Sequence, residues 1–194
     1  DINLKTFCVF CVRFGSDKTC VHCNDHTFLD GVSSVGDYKN SILRNLIINW
    51  KYYGDRSAEQ FLKKIFIKSI NRVCPPVLSF YSTHVPLHYG RKRERGFDQA
   101  QVVSSWIEQL YGIPALDLLV RHSTNKQQGG SGIKRSRLGE LDGIFRIDEN
   151  AEFIPENILI CDDVFTTGAT MDAAARCLKD SGVKTVWGFV LASG

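Results

Sequence analysis

The run from Ile158 to Thr170, ILICDDVFTTGAT, joins four apolar residues to two adjacent acids and a turn of threonine and glycine. A short apolar run bounded by turn residues predicts a buried strand, here over residues 157–161. Asp162 and Asp163 then emerge at the carboxyl edge of the sheet, where open α/β sheets bind their ligands. Residues 164–168 are predicted to turn into a helix. The run therefore predicts a strand, a turn and a helix in a parallel sheet.

The turn has the features of an anion site. Its backbone N–H groups, the hydroxyls of Thr166, Thr167 and Thr170, and the positive end of the helix dipole all favour a negative ligand. Gly168 lets the backbone approach that ligand closely. A phosphate at the turn, with hydroxyl donors or a metal at the carboxylates, indicates a phosphorylated ribose. The alternative is an acid-rich strand end followed by an ordinary helix cap. A Walker-type loop is excluded because the chain contains no G-x4-G-K-[ST].

Three other segments, residues 38–54, 57–73 and 97–111, have apolar residues at helical spacing. Ser57 is predicted to cap the second helix, with Gln60 three residues later. The side chains predicted to be buried are Ile42, Leu43, Leu46, Ile47 and Trp50, then Phe61, Leu62, Ile65, Phe66 and Ile70, then Ala100, Val103, Trp106, Ile107 and Leu110.

Strand-like runs alternate with the predicted helices. They are FYSTHVPL, LDLLV, GIFRI, ENILICD and TVWGFVLAS, and the helical segment 166–182 separates the last two. This alternation predicts an α/β fold with a mostly parallel, doubly wound sheet. A chain of 194 residues is long enough for one such core and a small appendage.

The appendage is predicted over residues 1–30, and the main domain over residues 31–194. The appendage contains two C-x2-C pairs, formed by Cys8, Cys11, Cys20 and Cys23. Four thiolates at this spacing can hold one Zn²⁺ in a structural zinc ribbon, with no open position for catalysis. Two disulfides in a secreted module are the alternative. His22 and His26 are nearby and could substitute as ligands, although four cysteines already complete the set. The remaining cysteines are predicted to be buried free thiols: Cys74, Cys161 and Cys177.

Basic residues are concentrated in two places. Arg91, Lys92, Arg93 and Arg95 lie in HYGRKRERG, which is predicted to be a loop, and Lys134, Arg135 and Arg137 lie in a Gly-rich stretch. Each group could bind an anion or could be ordinary solvated charge. The net charge of +3 is by itself too small to indicate nucleic acid. Residues 121–142 are polar and Gly-rich, and are predicted to be mobile until a ligand binds.

Composition places the chain among soluble globular proteins, with 43% hydrophobic and 23% charged residues. No apolar run approaches the ~20 residues that a membrane-spanning helix needs. The first residues, DINLKTFCVFC, lack the features of a secretory signal, although the absence of an initiating Met leaves a removed leader open. We therefore expect a cytoplasmic protein that does not insert into membranes.

The run from Ile158 to Thr170 resembles the phosphoribosyl pyrophosphate (PRPP) signature of type I phosphoribosyltransferases. With VPLHYGRKRERGFDQAQ and the cysteine module, nearly the whole chain resembles the ComF/GntX family. The resemblance implies that Asp162 and Asp163 hold the ribose 2′ and 3′ hydroxyls, and that PRPP oxygens and water hold most of a Mg²⁺ ion. Its implied 5-phosphate site is Thr166, Thr167, Gly168, Ala169 and Thr170, and its implied diphosphate site is Arg91, Arg93 and Arg95.

Two features depart from the family pattern. Asp98 stands where the family usually has Asn, which adds a negative charge beside a site for anions. The family's T-x2-Q-x2-L segment, followed by E-R-x2-N, is only partly kept in the predicted mobile segment. Thr124 and Gln127 are kept, whereas Gly130 replaces the Leu, and either Leu138 or Glu140 replaces the Asn, depending on the alignment.

The resemblance implies transfer of the phosphoribosyl group from PRPP to a nitrogen nucleophile. Arginines and Mg²⁺ would stabilise the departing pyrophosphate, and residues 121–137 would exclude water. The acceptor is not indicated. The alternative is an accessory protein that responds to PRPP without catalysis and binds single-stranded DNA during natural competence, alone or with competence proteins. Possible stacking residues for DNA are predicted to lie in the core instead: Trp50, Tyr52, Tyr53 and Trp106.

Overall fold

The computed structural model describes Cys8, Cys11, Thr19, Cys20 and residues 23–73, 80–122 and 143–194. After a 3₁₀ turn at Asn24–His26, the elements are β1 (Gly31–Asp37), α1 (Ser41–Tyr53), α2 (Arg56–Val73), β2 (Tyr81–His84), α3 (Tyr89–Arg95), α4 (Gln99–Tyr111), β3 (Leu119–Arg121), β4 (Phe145–Ile147), β5 (Asn157–Phe165), α5 (Ala169–Asp180) and β6 (Thr185–Ser193). None of the described helices combines the length and the apolar character needed to cross a membrane.

The main sheet has four strands in the order β1-β6-β5-β2, and all three pairings are parallel. Strands β3 and β4 form a separate antiparallel pair. The two central strands, β5 and β6, are nine residues each and almost entirely buried. Near-continuous apolar runs of this kind are expected where helices cover both faces of a sheet. The prediction of an α/β fold with a mostly parallel sheet is confirmed.

Successive residues of β5 face opposite layers of the core. Leu159 and Cys161 pack with α1, α2 and α4, whereas Ile158 and Ile160 pack with α5 and the β3–β4 pair. The indole of Trp50 lies in the first layer and stacks on Trp106 of α4, with ring centroids 5.7 Å apart. The period of two along β5 therefore builds a hydrophobic core on each side of the sheet.

Strand β1 was not among the predicted strands. Its sequence, GVSSVGD, has two glycines and two serines, which are poor strand formers. Its position depends on partners far along the chain: Trp187 of β6 donates a hydrogen bond from Nε1 to Ser33 Oγ at 2.9 Å. A Cβ at Gly31 would lie 2.5 Å from the Trp187 ring, so only glycine fits there. Contacts with β6, and not strand propensity, place this segment at the edge of the sheet.

The predicted helices are present, with corrections at their ends and surfaces. Asp55, and not Ser57, caps α2, because its Oδ1 accepts from the N–H groups of Ser57 and Ala58 at 2.8 and 3.3 Å. The residues predicted to be buried but found exposed are Ile42, Phe61 and Leu110. Those confirmed as buried are Leu43, Ile47, Trp50, Leu62, Phe66, Ala100, Val103, Trp106 and Ile107. The apolar stripe of each helix is thus wider than the strip that meets the sheet.

Candidate functional site

Two strands share one level at the carboxyl edge of the sheet. His84, the last residue of β2, pairs with Cys161 of β5, and the N–H of Val85 donates to the Cys161 carbonyl at 2.9 Å. The chain leaves β2 there, while β5 continues through Asp162 and Asp163 and stays paired with β6. Strand β5 is therefore longer than predicted. The acids and the segment after His84 lie side by side at the edge where parallel sheets bind ligands.

The two adjacent carboxyl groups have different surroundings. Asp163 is buried, and its Oδ2 lies 2.6 Å from Nζ of Lys51, in the last turn of α1. Asp162 accepts a hydrogen bond from the N–H of Asp163 at 2.8 Å. Burial, followed by the neighbouring charge of Asp163, raises the pKa of Asp162 to about 8. Asp162 is therefore hard to ionise, whereas the Asp163 side chain makes an ion pair with Lys51.

The predicted phosphate-binding residues form one continuous turn into α5: Thr166, Thr167, Gly168, Ala169 and Thr170. Thr166 and Thr167 are exposed, whereas Gly168 is buried at the N-cap, where it has no side chain to occupy the first N–H groups of the helix. Gly168 has a φ of 75°, and a Cβ there would lie 2.4 Å from Cζ of Phe165. The turn itself therefore requires glycine, in addition to the predicted close approach of an anion.

The basic stretch predicted as a loop is the short helix α3. His88 caps its start, because Nδ1 accepts from the N–H of Gly90 at 3.2 Å, and Gly96 ends it with a φ of 76°. Arg91 and Arg95 are four residues apart and share one side of the helix. The guanidinium of Arg93 instead lies 5.9 Å from the ring centroid of Tyr89. The structure thus brings two of the three predicted arginines together.

An open cleft of about 270 Å³ lies between the end of α1 and α3, lined by Tyr52, Arg91, Glu94 and Arg95. The Arg95 guanidinium stands 5.0 Å from the ring centroid of Tyr52, a cation–π contact between the two helices. Arg95 also donates from Nη1 to Oε1 of Gln99 at 3.0 Å. The buried Nε2 of Gln99 has no hydrogen-bond partner in the described part of the chain. One unused donor therefore remains beside an arginine of the cleft.

Arg121, at the end of β3, belongs to the same charged environment. Burial and then the charge of Arg91 lower its pKa, while Asp162 raises it. Its guanidinium lies 5.5 Å from the ring centroid of Phe145. Arg121 therefore interacts electrostatically with both Arg91 of α3 and Asp162 of β5.

His84, at the end of β2, is a further titratable residue beside the candidate site. Its Nδ1 is 3.5 Å from Oδ1 of Asp117, and burial lowers the pKa of the imidazole, although the charges of Asp98 and Asp117 oppose this. The ring is therefore neutral at pH 7, and it adds no positive charge to the site.

The acid that departs from the family pattern has a structural role. Asp98 is buried and caps α4, with Oδ1 accepting from the N–H groups of Ala100 and Gln101 at 3.1 and 3.4 Å. Its Oδ2 accepts from the N–H of Leu87 at 3.0 Å. Both oxygens are therefore used, one for the helix and one for the segment that leads from β2 to the arginines. An asparagine has only one oxygen and could not make both sets of bonds.

The four amino-terminal cysteines lie together. The Sγ atoms of Cys8, Cys11, Cys20 and Cys23 are all within 4.8 Å of one another. Tetrahedral bonds of ~2.3 Å to a zinc ion would put sulfurs ~3.8 Å apart, so the cluster could hold a metal. The Sγ atoms of Cys11 and Cys20 are 3.5 Å apart, too far for a disulfide bond, and none of the four cysteines is disulfide-bonded, so the disulfide alternative is not observed. Burial, then hydrogen bonds from the other thiols, raises the pKa of Cys23 to about 12 in the absence of metal.

Several sequence-based expectations fall on residues outside the described ranges. They include Cys74, His22 and almost all of the predicted mobile segment, whose residues 123–142 contain the second basic group and the partly kept family pattern. Of the segment predicted to close over the ligand, the structure describes Arg121 and His122.

Comparison with known proteins identifies relatives, although no protein-family model matches the chain. Competence protein ComFC of Bacillus subtilis is 31% identical over 144 residues, which cover 74% of this chain and 56% of that protein. Competence protein ComFC of Streptococcus pneumoniae is 29% identical over 154 residues, or 78% of this chain and 64% of the relative. Competence protein F of Haemophilus influenzae is 32% identical over 113 residues, covering 56% and 48%. The chain belongs to the ComF family. It spans about half to two thirds of the length of these curated relatives.

Three residues of this ComF family member join the site without having been predicted there. Lys51 and Tyr52 come from α1, and their helical pattern indicated only a packing role for that helix. Gln99 lies in the family-like RGFDQA element, which was a signal that could have indicated it. Lys51 has no comparable signal, because its partner Asp163 lies more than one hundred residues later in the chain.

Proposed function

We propose that this chain is a PRPP-binding protein with a type I phosphoribosyltransferase fold. The observation that supports this most directly is the continuity of two elements. Asp162 and Asp163 lie at the carboxyl end of a parallel strand, and the Thr/Gly turn at the amino end of α5 follows three residues later. Carboxylates for a sugar diol and N–H groups for a phosphate are thereby placed on one short segment.

The proposed roles follow from the chemistry of each group. The carboxyl groups of Asp162 and Asp163 hydrogen-bond the ribose hydroxyls, and the turn from Thr166 to Thr170 surrounds the 5-phosphate. Arg91 and Arg95, which line the cleft, stabilise the negative charge of the diphosphate. Arg93 is the least well placed of the three arginines, because its guanidinium lies over the ring of Tyr89. A Mg²⁺ ion, held mainly by PRPP oxygens and water, would supply further neutralisation.

If the protein is also a transferase, the bond between C1 and the pyrophosphate oxygen breaks and a nitrogen nucleophile takes the anomeric carbon. The protein then acts by positioning the ligand and stabilising charge, and the acceptor is unknown. Release of pyrophosphate that depends on an added acceptor would establish turnover separately from binding. We also propose that the cysteine cluster holds one structural Zn²⁺ as a ribbon at the amino terminus of a cytoplasmic protein.

Calorimetry with PRPP and Mg²⁺ tests the central proposal. The wild type should bind, and Asp162→Asn/Asp163→Asn should lose at least about tenfold in affinity, since Asp163→Asn removes a charge-assisted hydrogen bond and Asp162→Asn removes a second carboxyl group. Asp180→Asn, at the other end of α5 and exposed, is the matched control and should bind like the wild type. A folded wild-type protein that gives no heat of binding would refute the proposal.

The relatives are named competence proteins, and we propose a role in natural competence for this chain too. A second candidate function, binding of single-stranded DNA, rests on exposed aromatic residues. Tyr52 and Tyr53 are 64% and 79% exposed, so the prediction that they lie in the core is wrong, whereas it is confirmed for Trp50 and Trp106. Tyr89 is also exposed, beside the basic helix α3. Exposed rings beside arginines form the kind of surface on which bases stack.

Fluorescence anisotropy with a labelled oligonucleotide at several salt concentrations tests this second function. Tyr53→Ala and Tyr89→Ala should each weaken binding, because stacking contributes roughly 1–3 kcal/mol per base. Phe153→Ala is the control, since this exposed ring packs on Tyr81 at the start of β2, on the opposite edge of the sheet. Binding that does not change with salt would count against a phosphate-dependent interaction.

A further inference from the structure

The Lys51 ammonium occupies the charged carboxylate of the candidate diol site. The bond from Nζ to Asp163 Oδ2 is 2.6 Å, and the two side chains are only 21% and 9% exposed. The other acid, Asp162, is hard to ionise, because burial and the neighbouring Asp163 charge raise its pKa to about 8. The acid that makes the ion pair, Asp163, is already covered by a lysine. A diol that needs this carboxylate must take the place of the lysine.

Attachment of α1 to the sheet does not require this ion pair. The helix buries Leu43, Ile47 and Trp50 in the core, and the Trp50 ring stacks on Trp106. Both ends of α1 are capped independently, by the side chain of Asn40 and by Gly54. A lysine in the last turn of a helix also interacts favourably with the helix dipole without any partner. The contact between Lys51 and Asp163 is therefore not needed to hold α1 in place, and we assign it to the candidate site.

Lys51 also lies between the two halves of the site. Its side chain reaches the acids, while the next residue, Tyr52, contacts Arg95 and lines the arginine cleft. A lysine has a flexible four-carbon stem and a compact charge with three donors, so it can change partners by rotation about its own bonds. Once a diphosphate is bound at the arginine cleft, which Tyr52 lines beside Lys51, that side of the site offers the ammonium a second negative partner.

We propose that Lys51 is an exchangeable ligand-binding residue, which covers Asp163 in the free protein and moves onto the diphosphate when a ribose diol takes its place. This inference rests on the proposed PRPP function and deepens it. It gives α1 a specific part in the site, and it provides the buried Asp163 carboxylate with a partner in both states: the Lys51 ammonium without ligand and the hydroxyl donors of the diol with ligand.

Two probes separate the two halves of the exchange. PRPP with Mg²⁺ carries the diol and the diphosphate, whereas ribose 5-phosphate carries the diol and lacks the diphosphate. Affinities are measured by calorimetry for PRPP, and by competition against PRPP for ribose 5-phosphate. The variants are Lys51→Met, Lys51→Arg and, as a control of equal charge change on the exposed side of α1, Arg44→Met.

Lys51→Met should weaken PRPP about tenfold or more, the loss expected when a charge-assisted hydrogen bond is removed. It should leave ribose 5-phosphate unchanged or tighter, because the diol no longer competes with the lysine. Lys51→Arg should recover part of the PRPP affinity, and Arg44→Met should resemble the wild type.

Three other results would overturn the inference. One is equal weakening of both probes by Lys51→Met, which indicates a structural role for the lysine. Another is unchanged PRPP affinity in that variant. The third is a wild type that binds PRPP but not ribose 5-phosphate, together with a Lys51→Met variant that also fails to bind ribose 5-phosphate, because the lysine is then not what excludes the diol. A wild type that binds neither probe refutes the proposed function itself, and is thereby distinguished from failure at Lys51.

Discussion

Replacement of Gly168 by alanine tests how the Thr/Gly turn is built. The residue has a φ of 75°, a conformation that costs an L-residue roughly 1–2 kcal/mol. The added Cβ would also lie 2.4 Å from Cζ and 3.0 Å from Cε2 of Phe165, closer than these atoms can approach. Phe165 is buried, so relief requires a shift of packed atoms, which typically costs about 1–3 kcal/mol. We expect Gly168→Ala to lower the free energy of unfolding by about 2–5 kcal/mol in total.

Urea denaturation measures this change, and a second glycine supplies the control. Gly54 also has a positive φ, 61°, but nothing lies within 4 Å of a Cβ built there. Gly54→Ala should therefore show the backbone cost of about 1–2 kcal/mol alone. In a double-mutant cycle, Phe165→Leu should recover part of the loss caused by Gly168→Ala. Equal losses for the two glycine variants would refute the argument from Phe165. If Gly168→Ala/Phe165→Leu regains stability but not PRPP binding, the glycine also serves the ligand.

Three further predictions follow from single contacts. Because the pKa of Asp162 is raised, the native state binds an extra proton between about pH 4 and pH 8, so the free energy of unfolding should fall as pH rises through this window. Asp162→Asn should therefore flatten a plot of melting temperature against pH. Asp98→Asn keeps the helix cap but turns an amide donor toward the N–H of Leu87, which should cost about 1–3 kcal/mol in urea denaturation. Elemental analysis should find one zinc per chain, and both a chelator and Cys23→Ser should remove it and lower the melting temperature.

Much of the sheet was predictable because its central strands carry their own signal. The apolar runs of β5 and β6 are buried whatever their neighbours are, so their pattern alone indicates helices on both faces. Strand β1 could not be predicted in the same way, because GVSSVGD is stabilised by Trp187 and by its pairing with β6. Tertiary contacts decided its structure, and its composition favoured a turn.

The candidate site was likewise predictable only in part. The acids, the turn and the arginines were indicated because each lies in a short run with its own chemical pattern. Lys51 and Tyr52 were not, since α1 ends at the site only after the chain has folded. Trp50 faces the core, whereas Tyr52, two positions later, lies roughly 200° further around α1, and Tyr53 lies outside the buried strip. Helical spacing indicates that a face is apolar, but the packing against α4 decides how wide the buried part is.

Helix α5 connects the turn at one end to the amino-terminal segment along its side. Asp172 accepts hydrogen bonds from Thr27 Oγ1 and from the N–H of Phe28, the latter at 2.7 Å. One turn later Arg176 lies over the ring of Phe28, and Lys179 binds Asp30 at 2.7 Å. These three residues share one side of the helix, and Thr19 continues the contact by donating to the carbonyl of Leu29 at 2.7 Å. The segment that follows the cysteine cluster is therefore fixed to the same rigid helix whose first N–H groups face the proposed 5-phosphate.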